Sequence, residues 1–227
     1  MNLLGRKSLL HIYAHDKLES IVKYVMIQQV GDKPGFSIIF HKLEYDKKNK
    51  LVENKNFEIY SFPLRHRTPT AGFLFKEKVE QLNINPAAIN DYSLNHLEIR
   101  RIKQGADLIR ENKKIADNND LTFEPHKSRS YAYCSDTAYN SYMTKILRNV
   151  DVIYHEATFA TDMKNEAEAR YHSTGKQAGE IAQKSGAGKL LLGHFSNRYK
   201  DVSIIVDEAK QVFENTFAVK ENENYII

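Results

Sequence analysis

The sequence predicts an α/β fold in which strands and helices alternate and one sheet carries functional side chains at its strand ends. In the final third of the 227 residues, apolar runs typical of strands alternate with helical patterns. Three of those runs end directly in a motif, at Asp136, Glu156 and His194. Hydrophobic residues make up 41% and charged residues 27%, and no apolar run approaches the roughly 20 residues of a membrane span. We therefore expect a soluble globular protein with no membrane partner.

The first 75 residues predict one helix among four strands. Asp16 is a good N-cap for a helix that runs to about Val30, where the sequence GDKPG ends it. The next three strands should form an antiparallel meander, with the charged segment YDKKNKLVENKN as the turn between the first two. The predicted strands are Leu9–Ala14, Phe36–Leu43, Phe57–Leu64 and Gly72–Phe75.

A polar stretch from about residue 76 to 128 differs from the segments on either side. It has scattered apolar residues and a cluster of basic ones, and a stretch this long is unusual inside a compact domain unless it is an inserted functional arm or a small subdomain. An irregular surface excursion is the alternative. The basic residues are Arg100, Arg101, Lys103, Arg110, Lys113 and Lys114.

The last third predicts a regular alternation of strands and helices. Strands are expected at Ser130–Ser135, Val150–His155 and Lys189–His194, with closing strands at TFAV and NYII. Helices are expected at Tyr139–Leu147, Thr174–Lys184 and Ser203–Phe213.

The cysteine count and the net charge limit which cellular compartment and which partners are expected. With the single cysteine Cys134 no internal disulfide is possible, and the first residues lack the features of a signal peptide, so a reducing cytoplasm is expected. The net charge of +4 and the isoelectric point near 8.9 fit a polyanionic partner, or a basic surface without one.

Two motifs place a possible metal ligand at a strand end. His66 ends FPLRH between two prolines and could bind a metal or a phosphate, or be structural. Asp136 in Ser-Asp-Thr could bridge two metal ions, or could cap the helix predicted after it.

Three further motifs offer acid–base and phosphate-binding groups. Glu156 in YHEATF could orient another functional side chain, or could be a satisfied core residue. His172 precedes a helix capped by Ser173 or Thr174 and could donate a proton to a leaving oxygen, or face solvent. In GHFSNRY, His194 stands near Ser196, Arg198 and Tyr199, a set that could bind a metal and a phosphodiester together.

The joint order of these motifs closely resembles the ribonuclease Z family, the tRNA 3′-processing endonucleases of the metallo-β-lactamase superfamily. The HEAT, HST and GHFSxRY motifs carry the resemblance, which extends from an LLGR segment at Leu3–Arg6 to the helix near Glu208. It is weakest across the arm, where the family's Gly-Pro signature is absent. The resemblance implies an αββα sandwich, two zinc ions, precursor tRNA as substrate and a homodimer.

The resemblance also implies a role for each motif residue. His66 would bind the first zinc, Asp136 would bridge both, and His194 would bind the second. His172 would be the proton donor, supported by Glu156. Ser196 and Arg198 would contact the substrate phosphate, and the arm with Arg100, Arg101 and Lys103 would bind tRNA.

The family's His-x-His-x-Asp-His motif does not occur in the sequence. In related proteins it precedes the LLGR segment, so we expect this chain to correspond to the C-terminal two-thirds of a complete enzyme, with the first strands of one sheet missing. With three ligands for two metals, weak metal binding and little hydrolysis by this chain alone are expected. Core surface should also be exposed.

Three functions remain open from sequence. The first is the tRNA 3′-endonuclease. The second is a small-ester metallo-hydrolase of the same fold, which the long basic arm disfavours. The third is a non-catalytic RNA-binding remnant.

Overall fold

The computed structural model describes residues 5–30, 35–78, 81–125 and 127–226. Leu3 and Leu4 of the LLGR segment lie outside these residues. Residues 31–34, in the break predicted after the first helix, also lie outside them. Within the described ranges, no helix combines the length and the apolar character needed to cross a membrane.

The chain divides into two compact units, and the first holds the main sheet. The first unit comprises Met1–Glu53, Glu58–Phe75 and Ser130–Ile227, and the second comprises Asn54–Phe57 and Lys76–Arg129. Up to residue 77 the elements are β1 (Leu10–Ala14), α1 (Lys17–Val30), β2 (Ile38–Lys42), β3 (Asn49–Glu53), β4 (Phe57–Pro63) and β5 (Ala71–Glu77).

The predicted antiparallel meander is wrong at its first pair, whereas β4 and β5 are neighbours in the main sheet, as the meander requires. β2 pairs in parallel with β1 in a separate two-stranded sheet, with Leu10 opposite Ile38. β4 instead pairs antiparallel with β3, a strand that lies inside the segment predicted as a turn. β3 is an edge strand, where charged side chains are tolerated, and its Lys50 forms an ion pair with Glu58 of β4 at 2.9 Å.

The second unit is a folded insert with its own core. Its elements are β6 (Asn83–Ile84), α2 (Pro86–Asp91), α3 (His96–Ile102), β7 (Leu108–Arg110), β8 (Lys113–Ala116), α4 (Asn118–Leu121) and β9 (Thr122–Phe123). Strands β6 and β9 pair antiparallel, as do β7 and β8. The buried core consists of Ala88, Leu94, Ile102, Leu108, Ala116 and Leu121. The buried Asn118 amide donates hydrogen bonds to the carbonyl oxygens of Ile102 and Ala106, which ties the helices to the loop before β7.

The rest of the first unit is the predicted alternation of strands and helices. Its elements are β10 (Ser130–Cys134), α5 (Met143–Ile146), β11 (Val152–Glu156), a 3₁₀ turn (Thr161–Met163), α6 (Lys164–Ala169), α7 (Gly175–Ser185), β12 (Lys189–Gly193), α8 (Ser203–Lys210) and β13 (Thr216–Ala218). The helix predicted at Tyr139–Leu147 is shorter, because residues 139 and 140 are irregular and residues 141 and 142 form a turn before α5. The strand predicted at NYII is wrong, since residues 224–226 are irregular, and Ile227 lies outside the described residues.

Four neighbouring parallel strands bring the motifs to one edge of the seven-stranded sheet. The strand order is β13-β12-β11-β10-β5-β4-β3. Ala132 of β10 lies opposite Ile153 of β11, which lies opposite Leu190 of β12. Because the carboxyl ends of parallel strands share an edge, the residues that follow β10, β11 and β12 converge there.

Helices cover one face of this sheet, and aromatic side chains occupy the other. Ile153, Leu190, Ile181 and Ile205 belong to the core that the helices bury. On the opposite face Tyr133 stacks on Tyr154, with ring centroids 4.8 Å apart. Partly exposed aromatic side chains there are Phe75, Tyr133 and Phe217, at 40%, 39% and 45%.

Candidate metal centre

Two site residues adopt an unusual backbone conformation at the ends of their strands. Asp136 follows β10 and His194 directly follows β12, and both have a φ of +57°. This left-handed region costs a residue with a β-carbon about 1–2 kcal/mol and is concentrated at functional sites. The turn ends the strand abruptly and directs the side chain over the sheet edge. It also means that Asp136 does not cap a helix, so that alternative is wrong.

Asp136, His172 and His194 form a possible metal-binding triad. One ligand atom from each lies within 4.8 Å of the others, and His194 Nε2 is 3.1 Å from Asp136 Oδ1. Two imidazoles and a carboxylate are a donor set that suits Zn²⁺, and three protein ligands leave a position open for water or substrate. Throughout the described part of the chain this is the one such group found. The residues present therefore fit a metal ion.

His66 lies near the triad but outside it. Its ring centroid is 5.6 Å from that of His172, and its Nδ1 is 3.3 Å from the Tyr171 carbonyl oxygen. The loop that carries it is tied to the loop after β10, because the Arg65 N–H donates to Thr137 Oγ1 and the Ala138 N–H donates to the Arg65 carbonyl. His66 as a metal ligand stays a prediction.

The buried carboxylate of Glu156 connects three motifs. Its Oε1 accepts hydrogen bonds from Thr137 N–H and from His172 Nδ1, both at 2.8 Å. Its Oε2 accepts from Thr158 Oγ1–H at 2.7 Å and from Ser173 N–H at 3.1 Å. Burial alone would raise the pKa of Glu156, but the hydrogen bonds from His172, Thr158 and Ser173 hold that pKa below its ordinary value. Glu156 is therefore an anion inside the protein.

His172 is held by Glu156 at the start of α7. The hydrogen bond to Glu156 raises the pKa of the His172 imidazole above its ordinary value, although desolvation opposes the shift. Thr174 is the N-cap of α7, since its hydroxyl accepts from the Gln177 N–H. Ser173 instead donates its hydroxyl to the Thr137 carbonyl. With Nδ1 on Glu156, the imidazole presents Nε2 as its reactive atom.

His155 belongs to the core and not to the site. Its side chain is buried, Nδ1 lies 2.6 Å from the Glu156 carbonyl oxygen, and Nε2 has no hydrogen-bond partner among the described residues. Desolvation lowers the pKa of this imidazole, so it is neutral.

The predicted phosphate contacts lie on the loop after His194. The Ser196 N–H donates to the Thr158 carbonyl, which fixes the start of the loop. The exposed Arg198 guanidinium lies over the Phe159 ring, 5.8 Å from its centroid, and is 3.9 Å from Glu166. Beside His172, a cavity of about 200 Å³ is lined by Arg65, Ala138, Tyr139, Lys164, Glu168, His172 and Gln177.

In the second unit, the basic residues divide into paired and unpaired ones. Arg110 forms a two-pronged ion pair with Glu98, and Lys114 pairs with Asp107 at 3.2 Å. Arg100 and Arg101, in the last turn of α3, and Lys103 have no ion pair with any residue that the structure describes.

Sequence reasoning missed three residues that organise the site around Glu156. Thr137 and Ser173 donate their backbone N–H groups to its carboxylate and Thr158 donates its hydroxyl, yet of the three only Ser173 was considered, as a helix cap. The available signal was position: each of the three is the residue that follows Asp136, Ala157 or His172 in a motif already selected.

The chain is similar in sequence to proteins named ribonuclease Z. It is 37% identical over 221 residues to the one from Porphyromonas gingivalis, covering 97% of this chain and 72% of the relative. It is 38% identical over 219 residues to the one from Phocaeicola vulgatus, covering 96% of this chain and 71% of the relative. No protein-family model matches the chain.

Solved structures show the fold. The metallo-β-lactamase fold protein YhfI of Bacillus subtilis has a TM-score of 0.55 at 18% identity, with 93% of this chain and 62% of that chain covered. The short form of human tRNase Z has a TM-score of 0.54 at 18% identity, with 83% of this chain and 61% of that chain covered. These likenesses confirm the predicted metallo-β-lactamase fold.

Proposed function

The chain belongs to the ribonuclease Z family, and we propose how its residues serve the family's reaction, the endonucleolytic removal of the 3′ trailer from precursor tRNA. The observation that carries the proposal is the hydrogen bond between His172 and the buried Glu156, set beside Asp136 and His194.

His172 is the proton donor in this proposal. In this proposal His172 does not act as the third ligand of the group formed with Asp136 and His194. Its raised pKa favours the imidazolium, which has no free lone pair for a metal and can donate a proton. Nε2 would protonate the 3′ oxygen of the tRNA as the bond to the trailer phosphate breaks. Glu156 stabilises the imidazolium before transfer and keeps the ring oriented afterwards.

The metal ions are proposed to be zinc, two in a complete site. Asp136 and His194 would hold them, Asp136 between the two, with His66 as a ligand of the first. Bound zinc would supply an activated water and stabilise charge on the phosphate. Because the sequence has no His-x-His-x-Asp-His motif, we propose weak metal binding and slow cleavage by these 227 residues alone.

The remaining assignments concern binding. Ser196 and Arg198 would contact the substrate phosphate. Arg100, Arg101 and Lys103 would bind the tRNA backbone. Their lack of an ion pair with any described residue supports this second assignment, because it leaves their charges available for phosphates. We also propose a homodimer and a cytoplasmic location, the latter supported by the single buried cysteine, Cys134.

Cleavage of a labelled precursor tRNA with a 3′ trailer, with zinc and excess protein, tests the function. We expect slow cleavage after the discriminator base, lost in His172→Asn and kept in His11→Asn, which changes an exposed histidine of the first unit. Hydrolysis of a small phosphodiester without RNA cleavage would favour the small-ester hydrolase. RNA that is bound but never cut would favour the non-catalytic reading.

A further inference from the structure

Thr158 stands between the proton donor and the metal ligand. Its hydroxyl oxygen lies 2.7 Å from Glu156 Oε2, 3.0 Å from His194 Nδ1 and 3.0 Å from the His194 carbonyl oxygen. Glu156 in turn holds His172 through its other oxygen. The four side chains form one chain of hydrogen bonds, His194, Thr158, Glu156 and His172.

The single hydroxyl hydrogen decides the direction of each bond. A threonine hydroxyl donates once, and the carboxylate and the carbonyl oxygen near it can only accept. Whichever oxygen receives that hydrogen, none is left for His194 Nδ1. If the hydroxyl instead donated to Nδ1, its lone pairs would face an anionic oxygen at 2.7 Å. Nδ1 must therefore carry a hydrogen and donate to Thr158.

The direction of this hydrogen bond determines which ring nitrogen of His194 can bind a metal. With the hydrogen on Nδ1, the lone pair of the neutral ring is on Nε2, which lies 3.1 Å from Asp136 Oδ1. Without a cation between them, this carboxylate favours a hydrogen on Nε2 and so opposes Thr158, whereas a metal ion held by both groups would remove the conflict. Metal-binding histidines commonly donate their other N–H to a protein oxygen, which sets both the tautomer and the ring orientation. Here that oxygen belongs to a hydroxyl which is itself anchored on a buried anion.

We propose that Thr158 is a positioning residue that fixes His194 in its Nδ1–H tautomer and, through Glu156, ties the orientation of the metal ligand to that of the proton donor. The role in catalysis rests on the proposed function, whereas the tautomer does not. Thr158 touches neither substrate nor metal in this role. It acts through the two histidines.

The test compares Thr158→Val, which removes the hydroxyl at nearly constant shape, with Thr158→Ser, which keeps it. These variants are made in the metal-free chain with Asp136→Asn, because an asparagine amide can donate to Nε2 and no carboxylate then competes with Thr158. Long-range ¹H–¹⁵N NMR at a pH well above the ordinary histidine pKa of about 6.5 reports the tautomer of each ring. We expect His194 to be the Nδ1–H form in Asp136→Asn alone and with Thr158→Ser, and a mixture with Thr158→Val. His172 should keep its Nδ1–H in all three, because Glu156 Oε1 still accepts it.

Binding of Co²⁺, followed by its visible absorption, gives a second measurement without RNA. We expect Thr158→Val to weaken Co²⁺ binding by about tenfold or more, and Thr158→Ser to restore it. Thr216→Val is the matched control, since Thr216 is also buried and donates only to the Phe213 carbonyl. It should change neither the His194 tautomer nor Co²⁺ affinity.

Two results would overturn the proposal. One is an unchanged His194 tautomer in Thr158→Val, and the other is a loss in Thr158→Ser as large as that in Thr158→Val, which would assign the effect to the methyl group. Failure of the chain to cleave precursor tRNA would count against the proposed function, and it would leave the NMR and Co²⁺ results as they are.

Discussion

His194 Nε2 lies 3.1 Å from Asp136 Oδ1, and the two residues share a left-handed backbone with a φ of +57°. Each ends a strand of the same parallel array, so the sheet presents the same sharp turn at two positions and brings an imidazole against a carboxylate. The conformation is unfavourable for a residue with a β-carbon, and the chain maintains it at both places. Metal binding and backbone strain can be separated at Asp136, because asparagine tolerates this conformation well.

Asp136→Asn should remove the charge and keep the fold. We expect Co²⁺ affinity to fall by about a hundredfold, since a carboxylate ligand becomes a neutral amide, with little change in melting temperature. Asp136→Ala should lose the same affinity and also melt earlier, since alanine is poorer in the left-handed region. Equal melting temperatures for the two variants would argue against strain at this position.

The pair His172–Glu156 should stabilise the metal-free protein most in mildly acidic solution. The pKa of His172 is raised above 6.5, so its contribution is complete below that value and is lost as pH rises through the raised pKa. The pKa of Glu156 lies below 4.5, so its contribution is complete above that value and is lost as pH falls through the lowered pKa. Both contributions to stability are therefore complete between about pH 4.5 and 6.5.

A double-mutant cycle with His172→Asn and Glu156→Gln, measured by urea unfolding, isolates this coupling. We expect a larger coupling free energy inside that window than in alkaline solution. Glu156→Gln alone should cost about 3 kcal/mol, because the amide nitrogen would face backbone N–H donors. A coupling that does not vary with pH would contradict the assignment.

His155 predicts the opposite trend. Its pKa is lowered by burial, so the fold loses stability as pH falls below 6.5, where the unfolded chain binds a proton that the folded chain does not. His155→Asn keeps a donor near the Nδ1 position and removes the titration. The variant should unfold with a weaker dependence on pH in acid than the wild type, whereas His96→Asn, at an exposed position, should leave the dependence unchanged.

Arg100, Arg101 and Lys103, which form no ion pair with any described residue, should bind RNA. Replacing Arg100, Arg101 and Lys103 with alanine should weaken binding of precursor tRNA and reduce the slope of log K against log salt by about two. The control replaces Lys145, Arg148 and Lys210, which are exposed on the first unit. Equal losses in both triple variants, measured by filter binding over a salt series, would point to non-specific attraction.

Gly193 should resist substitution because of Tyr154. A β-carbon at position 193 would clash with the Tyr154 hydroxyl and would lie 2.8 Å from its ring. Gly193→Ala should therefore destabilise the fold by about 1–3 kcal/mol and disturb the neighbouring His194. Adding Tyr154→Phe removes the closest atom and should recover part of the loss in thermal unfolding; no recovery would locate the strain elsewhere.

The parallel half of the fold and its motif residues were predictable because both depend on local pattern. Apolar runs that end in Asp136, Glu156 and His194 indicate buried strands with side chains at one edge, and the structure agrees. The partner of a strand is not a local property. Ile38–Lys42 is an ordinary strand by composition, and nothing in its residues distinguishes pairing with β1 from pairing with β4. β3 was missed since an edge strand can be as charged as a turn.

Within the site, residue types were predictable and hydrogen-bond directions were not. The His172–Glu156 contact joins residues 16 positions apart, and Thr158 reaches His194 across 36 positions. The second contact depends on the register between β11 and β12, which no residue sets locally. A threonine inside HEAT has no composition signal that separates an organising hydroxyl from a packing side chain.

Contacts between its two ends close the segment Lys76–Arg129 of the second unit. The Glu77 N–H donates to the Arg129 carbonyl at 2.9 Å, and the Arg129 guanidinium closes on the Glu77 carboxylate. A segment whose two ends are already joined pays little more in loop-closure entropy when it lengthens, since the cost grows only with the logarithm of its length. Lengthening or trimming the inserted segment therefore costs the fold little stability, and evolution can vary its length without changing the strands on either side.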